Sequence, residues 1–316
     1  MPASRSPLHT WLQLLRAPNL FTVPGDPLAG FLLASPALIH FPPLLLFPVG
    51  ASLCFYAAGL LLNDLMDLKE DLAERPNRPL PSGAARPFHV WLATAGLAAV
   101  GLALCAPGGL KSLATGLGII LAVAAYDCGF KKIPILGVIT MGLCRGLSVF
   151  LGATFTGGCG CPASGAVFAI ILYIAAVTQL ARYETRSGAP LYAIFLPLIG
   201  PAAMVGFGRG INFPALAALA LAAGMIAFTV IRVWKKKVPL PPSIGAFIRV
   251  LLIIQAFYCL LPPGPGEKPK SMQAKKPKTA LFQLSSPTST TGWASACLLI
   301  ALWPVSRAVS KRFYAS

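Results

Sequence analysis

The feature that most constrains this chain is its succession of long apolar runs. Residues 16–36, 43–66, 88–106, 109–126, 134–155, 164–182, 190–208, 212–233, 244–261 and 292–307 are each mostly apolar, and a membrane-spanning helix needs about 20 such residues. In lipid every backbone polar group must be satisfied within its own segment, so these runs read as helices. The expected fold is an all-α, multi-pass bundle of about nine transmembrane helices plus one doubtful segment. With 56% hydrophobic and 11% charged residues and a mean hydropathy of +0.73, the composition excludes a soluble globular domain. The first run is the weakest, because Pro24, Asp26 and Pro27 interrupt it; it reads as a retained, kinked first helix rather than a cleaved leader. Run 244–261 carries Arg249 and precedes a Pro- and Lys-rich stretch. The expected organisation is therefore a membrane domain over 1–261, an exposed linker over 262–291 and a C-terminal hydrophobic helix and tail over 292–316.

A formal charge of +17 raises the question of nucleic acid, since basic chains seek phosphates. Here Lys and Arg sit in short clusters between apolar runs, the pattern of cytoplasmic loops in membrane proteins. An N-terminus placed in the cytoplasm puts loops 67–87, 127–133, 183–189 and 234–243 on that side; the five lysines between 268 and 278 break the bias if 244–261 spans. No nucleic-acid partner is expected, and no obligate protein partner is evident. The 8 cysteines are scattered without metal-ligand spacing. Cys159-Gly160-Cys161 is the exception, but a zinc site normally takes four ligands and no His is near, so it reads as filler.

Against this apolar background the acids are concentrated. The chain has 9 acidic residues, and five of them (Asp64, Asp67, Glu70, Asp71, Glu74) cluster at the end of one apolar run. Positions four apart differ by only 40° around a helix, so Asn63, Asp67 and Asp71 share a column, with Asp64 beside it. These are hard oxygen donors. Mg²⁺ typically takes one or two carboxylates, keeps several waters and completes its shell with substrate phosphate oxygens. Arg75 and Arg78 follow at once and offer fixed donors to phosphate. Farther along, Arg145 sits mid-span, where an Arg needs a cavity or a counter-charge.

The pattern Asn63-Asp64-x-x-Asp67-x-x-x-Asp71 with Arg75-Pro-Asn-Arg78-Pro-Leu-x-Ser-Gly resembles the first signature of the UbiA superfamily of intramembrane prenyltransferases. The likeness runs over most of 12–235 and includes Arg16-Ala-Pro-Asn19 and Asp26-Pro-Leu-Ala-Gly30. The resemblance implies a central cavity open to lipid. There Mg²⁺ on Asn63, Asp64, Asp67 and Asp71 grips an isoprenyl diphosphate, and the allylic cation alkylates an aromatic or other lipophilic acceptor. Tyr126-Asp127-x-x-x-Lys131-Lys132 is similar to the family's tyrosine-and-lysine segment, which gives Lys132 to the diphosphate and the ring face of Tyr126 to the cation. Arg75, Arg78, Arg145, Arg182 and Arg186 complete the expected substrate-binding set.

The chain departs from the family at its second signature. Where two aspartates four apart would stand, it reads Arg182-Tyr183-Glu184-Thr185-Arg186-Ser187-Gly188. Glu184 is the one acid left for a second metal, so a protein that binds the diphosphate without transferring the prenyl group is the alternative expectation. The variant set Tyr126-Asp127, Cys144-Arg145-Gly146 and Arg182-Tyr183-Glu184-Thr185 is similar to a divergent branch of ebo-type metabolite operons, which implies a bacterial plasma membrane. A transporter finds no support in a two-half repeat of interrupted helices, and the Asp-Gly-x-x-Ala-Arg signature of CDP-alcohol phosphotransferases is absent.

Overall fold

The structure is a computed structural model that describes residues 6–35, 42–156, 161–184, 188–207, 211–261 and 290–313. The described residues hold α-helices and tight turns and no β-strand. In chain order the helices are α1 (Pro7–Leu14), α2 (Ala17–Leu20), α3 (Gly25–Ala34), α4 (Leu46–Met66), α5 (Leu68–Glu74), α6 (Pro87–Cys105), α7 (Gly109–Cys128), α8 (Pro134–Thr154), α9 (Cys161–Ala181), α10 (Leu191–Phe195), α11 (Ile199–Phe207), α12 (Phe213–Trp234), α13 (Leu240–Leu260) and α14 (Thr290–Phe313). Proline sets several starts: Pro7, Pro87 and Pro134 each occupy the first helical position, where the missing N–H has no partner to lose. Asn212 caps α12 by accepting from the Ala215 amide (2.9 Å), and its amide donates to the Leu260 carbonyl at the end of α13 (2.8 Å).

Among the described residues, seven stretches are long and apolar enough to cross a membrane, against the expected nine or so. One of the seven, Pro87–Cys128, is 42 residues long and contains α6 and α7, about 28 and 30 Å in length. The chain reverses between them at Gly109, whose φ of 78° suits glycine. The first run is broken instead of kinked: α2 and α3 are separate short helices, and Arg16 before them takes φ 43°. Run 190–208 is likewise divided into α10, a 3₁₀ turn at Leu196–Leu198, and α11.

α13 is the inner helix, with 78% of its apolar window buried against 22% for the α6–α7 pair. The large apolar side chains left exposed, such as Leu92, Leu110, Leu121 and Phe228, suit contact with lipid tails. At the α3–α8 crossing the backbones touch. A Cβ added to Gly30 would collide with the Val149 carbonyl, and one added to Gly152 with the Pro27 carbonyl, the close approach that small residues give membrane helices. α14 packs on α13 and reaches α2, where the Ser306 hydroxyl donates to the Pro18 carbonyl (2.9 Å). Residues 262–289 of the expected linker, and Cys159, lie outside the described residues.

Candidate active site

The first signature begins where α4 runs out. The helical hydrogen-bond pattern persists through the α4–α5 junction: the amides of Asp67, Asp71 and Arg75 donate to the carbonyls of Asn63, Asp67 and Asp71 at 2.8–2.9 Å. The column of Asn63, Asp67 and Asp71 therefore survives the junction. Beyond Arg75 the chain folds into a compact turn, in which the amides of Arg78, Ser82 and Ala85 donate to the carbonyls of Arg75, Arg78 and Pro79. Gly83 takes φ 75° there. Leu80 is buried beneath this turn among Leu14, Leu61, Leu65 and Val90, so the Arg-Pro-Leu-x-Ser-Gly half of the signature also has a packing role.

That packing returns Arg78 to Asp71, whose side chain is 7% exposed, at 2.7 Å. Arg16 bonds Asp64 at 3.3 Å. Lys131 forms a short ion pair with Asp67 and lies 3.7 Å from Asp127. Segments 67–87 and 127–133 are thereby joined side by side. Four carboxylates thus meet three cations at this end of the bundle, and the excess negative charge favours one more cation.

A cavity of about 160 Å³, lined by α4, α7 and α8, reaches this end of the bundle. Arg16, Asn63, Tyr126 and Asp127 line its charged end, and Phe55, Leu60, Ile119, Val123 and Met141 its apolar walls. Its lining on α4 runs from Ser52 to Asn63, about 16 Å along the helix. At the far end Ser52 and Ser148 share a hydrogen bond of 2.8 Å. Arg145 lines the cavity and has its counter-charge: its Nε is 2.7 Å from Asp26 Oδ2, its Nη2 donates to the Thr22 carbonyl (3.0 Å), and its guanidinium lies 5.9 Å from the Tyr56 ring centre. Gln255 on α13 donates to both Asp26 Oδ1 and the Thr22 carbonyl at 2.7 Å. The mid-membrane Arg thus ties α8 to α3 and α13.

Asn63, Asp64, Asp67, Asp71 and Asp127 offer only hard oxygen donors, the set that suits Mg²⁺. Among the described residues no three His, Cys, Asp or Glu side chains converge on a ready-made cage. This still fits Mg²⁺, which needs one or two carboxylates when water and substrate oxygens fill the remaining positions.

The expected residues divide accordingly. Asn63, Asp64, Asp67, Asp71, Arg78 and Tyr126 stand together at the charged end of the bundle, and Arg145 lines the cavity. Arg75 is exposed. Lys131, not Lys132, reaches Asp67, because α7 stops at Cys128 and a 3₁₀ turn over Phe130–Lys132 leaves Lys132 exposed. Arg182 is half-buried and Glu184 exposed at the end of α9, and neither makes an ion pair among the described residues. The neighbouring Tyr183 hydroxyl instead bonds that of Tyr192, at 2.7 Å. Arg186 lies outside the described residues. Arg16, Asp26, Asp127 and Lys131 had no assigned role from the sequence; for the two aspartates the available signal was an acid inside or at the end of an apolar run.

The fold and cavity define a membrane-embedded α-helical protein whose apolar chamber ends in carboxylates and bases. The chain matches the UbiA prenyltransferase family over residues 27–251 and belongs to it. It is 30% identical to the digeranylgeranylglyceryl phosphate synthase of Sulfolobus acidocaldarius over 155 residues, 48% of this chain and 54% of that one. To the enzyme of the same name from Thermococcus gammatolerans it is 34% identical over 120 residues, 38% and 43% of the two chains. The chain thus spans about half the length of these curated relatives. In fold it is similar to the apo structure of a UbiA homologue from Aeropyrum pernix, with a TM-score of 0.63 and 20% identity over 77% of this chain and 97% of that one. It is also similar to an Archaeoglobus fulgidus homologue bound to DMAPP and Mg²⁺, with a TM-score of 0.57 and 17% identity over 79% and 97%.

Proposed function

We propose that this protein is a Mg²⁺-dependent prenyltransferase of a cell membrane, with its charged end facing the cytoplasm. It transfers an isoprenyl group from an isoprenyl diphosphate to an aromatic or other lipophilic acceptor. One observation carries the reading: a single cavity is lined at one end by Arg16, Asn63, Tyr126 and Asp127, beside the Arg16–Asp64 and Lys131–Asp67 ion pairs, and along the rest of its length by apolar helix wall. An isoprenyl diphosphate has the same two halves. The homologue that binds DMAPP and Mg²⁺ and the clustered basic loops support the ligand and the orientation.

The diphosphate would lie among Arg16, Arg78 and Lys131, with the exposed Arg75 and Lys132 and the half-buried Arg182 around the entrance. Bound at Asn63, Asp64, Asp67 and Asp71, Mg²⁺ would neutralise the charge that builds on the leaving group. In the reaction the allylic C–O bond breaks and its electron pair leaves with the diphosphate. The allylic cation then takes an electron pair from the acceptor, which afterwards gives up a proton. Fixed donors aimed at the departing oxygens lower this barrier because they need no reorganisation. The Tyr126 ring face stabilises the cation, and the apolar walls keep water from it.

A second reading, diphosphate binding without transfer, is favoured by the exposed Glu184 and by Gly188 where another acid would stand. Labelled geranylgeranyl diphosphate and Mg²⁺ distinguish the two, with diphosphate release and lipid products followed over an acceptor panel that includes geranylgeranylglyceryl phosphate. Metal-dependent release that is lost in Asp67→Ala and Asp71→Ala supports the enzyme. Metal-dependent binding without product on any acceptor refutes it.

A further inference from the structure

We propose that Asp127 is a cation-binding carboxylate of this site, paired with Asp67, and that the Lys131 ammonium holds the cation's place until the metal and diphosphate arrive. The inference rests on the reading of the site as one for Mg²⁺ and an isoprenyl diphosphate, and adds to it a ligand from α7 that lies in neither aspartate signature.

Three features of Asp127 point to a ligand. Its side chain is 2% exposed yet lines the cavity. Its Oδ1 accepts no hydrogen bond among the described residues, and the Lys131 ammonium at 3.7 Å is too far to give one. It also occupies the last turn of α7, where the unpaired helix carbonyls already concentrate negative charge and a carboxylate is disfavoured. A carboxylate with those three handicaps is costly unless a stronger cation reaches it.

Lys131 marks where that cation would sit. Its single ammonium faces Asp67 Oδ1 and Asp127 Oδ1 together, so one positive charge answers two negative ones. A divalent cation between the same two oxygens would balance them, and two carboxylates are the number Mg²⁺ takes when phosphate oxygens complete its shell. Lys131 stands on the 3₁₀ turn after α7, and its long flexible stem can carry the ammonium from the carboxylates to the incoming diphosphate. One residue would thus screen the acids in the empty site and bind the leaving group in the filled one. The arrangement also compensates for the second signature, where Glu184 alone remains and is exposed.

The test is binding, read by the electron paramagnetic resonance of Mn²⁺ with purified protein in detergent, alone and with geranylgeranyl thiolodiphosphate, which resists ionisation. Asp127→Asn is expected to weaken Mn²⁺ binding in the presence of the analogue about tenfold or more. Lys131→Met is expected to tighten Mn²⁺ binding without the analogue and to weaken binding of the analogue itself. A merely structural ion pair would not produce that opposed pair of changes. Wild-type Mn²⁺ affinity in Asp127→Asn, or unchanged affinity for Mn²⁺ alone in Lys131→Met, overturns the inference while leaving the site reading intact. Wild-type protein that binds neither Mn²⁺ nor the analogue overturns the site reading itself. If Asp127→Asn does not fold, the Lys131→Met measurement decides the matter.

Discussion

Breaking the Asp26–Arg145 pair should destabilise the protein far more than replacing both partners. The Asp26 side chain is fully buried and that of Arg145 is 9% exposed, with 2.7 Å between their charged atoms. At an effective dielectric near 20, the attraction between charges at that separation is about 6 kcal/mol. Asp26→Leu leaves a guanidinium unpaired in the bundle, and Arg145→Met leaves a carboxylate so; each is expected to cost about 3–5 kcal/mol. Thermal midpoints, read by circular dichroism in one detergent at one scan rate, should fall on the order of 10 °C for each single variant. The double variant Asp26→Leu/Arg145→Met removes both charges, and Gln255 still donates to the Thr22 carbonyl. It should melt above both single variants. Single variants that melt within a degree or two of wild type, or a double variant below both, would refute the view that this pair ties α3, α8 and α13 together.

Gly152→Ala would place a methyl group against the Pro27 carbonyl; the helices must part, and a loss of about 1–3 kcal/mol should appear in the same melting assay. Lys131→Met is expected to lower the rate of diphosphate release about 100-fold or more, the usual effect of losing one fixed donor to a developing anion. Lys132→Met, at an exposed position, should stay within about threefold of wild type in the same assay. Glu184→Gln should change turnover less than tenfold, because this exposed side chain makes no ion pair among the described residues; a larger loss would show that the second loop closes onto the site in catalysis. Chelation of Mg²⁺ should stop diphosphate release, and added Mg²⁺ should restore it.

The bundle was legible because lipid imposes helices about 20 residues long, and the apolar runs record that length directly. The breaks within 16–36 and 190–208 were less legible, since proline marks a disturbance without saying whether a helix bends or stops. The choice between Lys131 and Lys132 hinged on one local event: α7 ends at Cys128 and a tighter turn follows, which changes the face each lysine presents. The partner of Arg145 could not be read from spacing at all, because Asp26 reaches it only through the tight α3–α8 crossing allowed by Gly30 and Gly152.

The acids of this chain divide by type. All five aspartates (Asp26, Asp64, Asp67, Asp71 and Asp127) make ion pairs with Arg or Lys, whereas the described glutamates (Glu70, Glu74 and Glu184) are exposed. The physical reason is reach. A short side chain loses less freedom when fixed and holds its charge near the backbone that positions it, while a longer one can extend back to water. In a chain so poor in acids, an aspartate within or beside an apolar run is costly to keep without a partner. Asp26 and Asp127 therefore carried as much information as the dense cluster after α4, although neither stands in a run of acids.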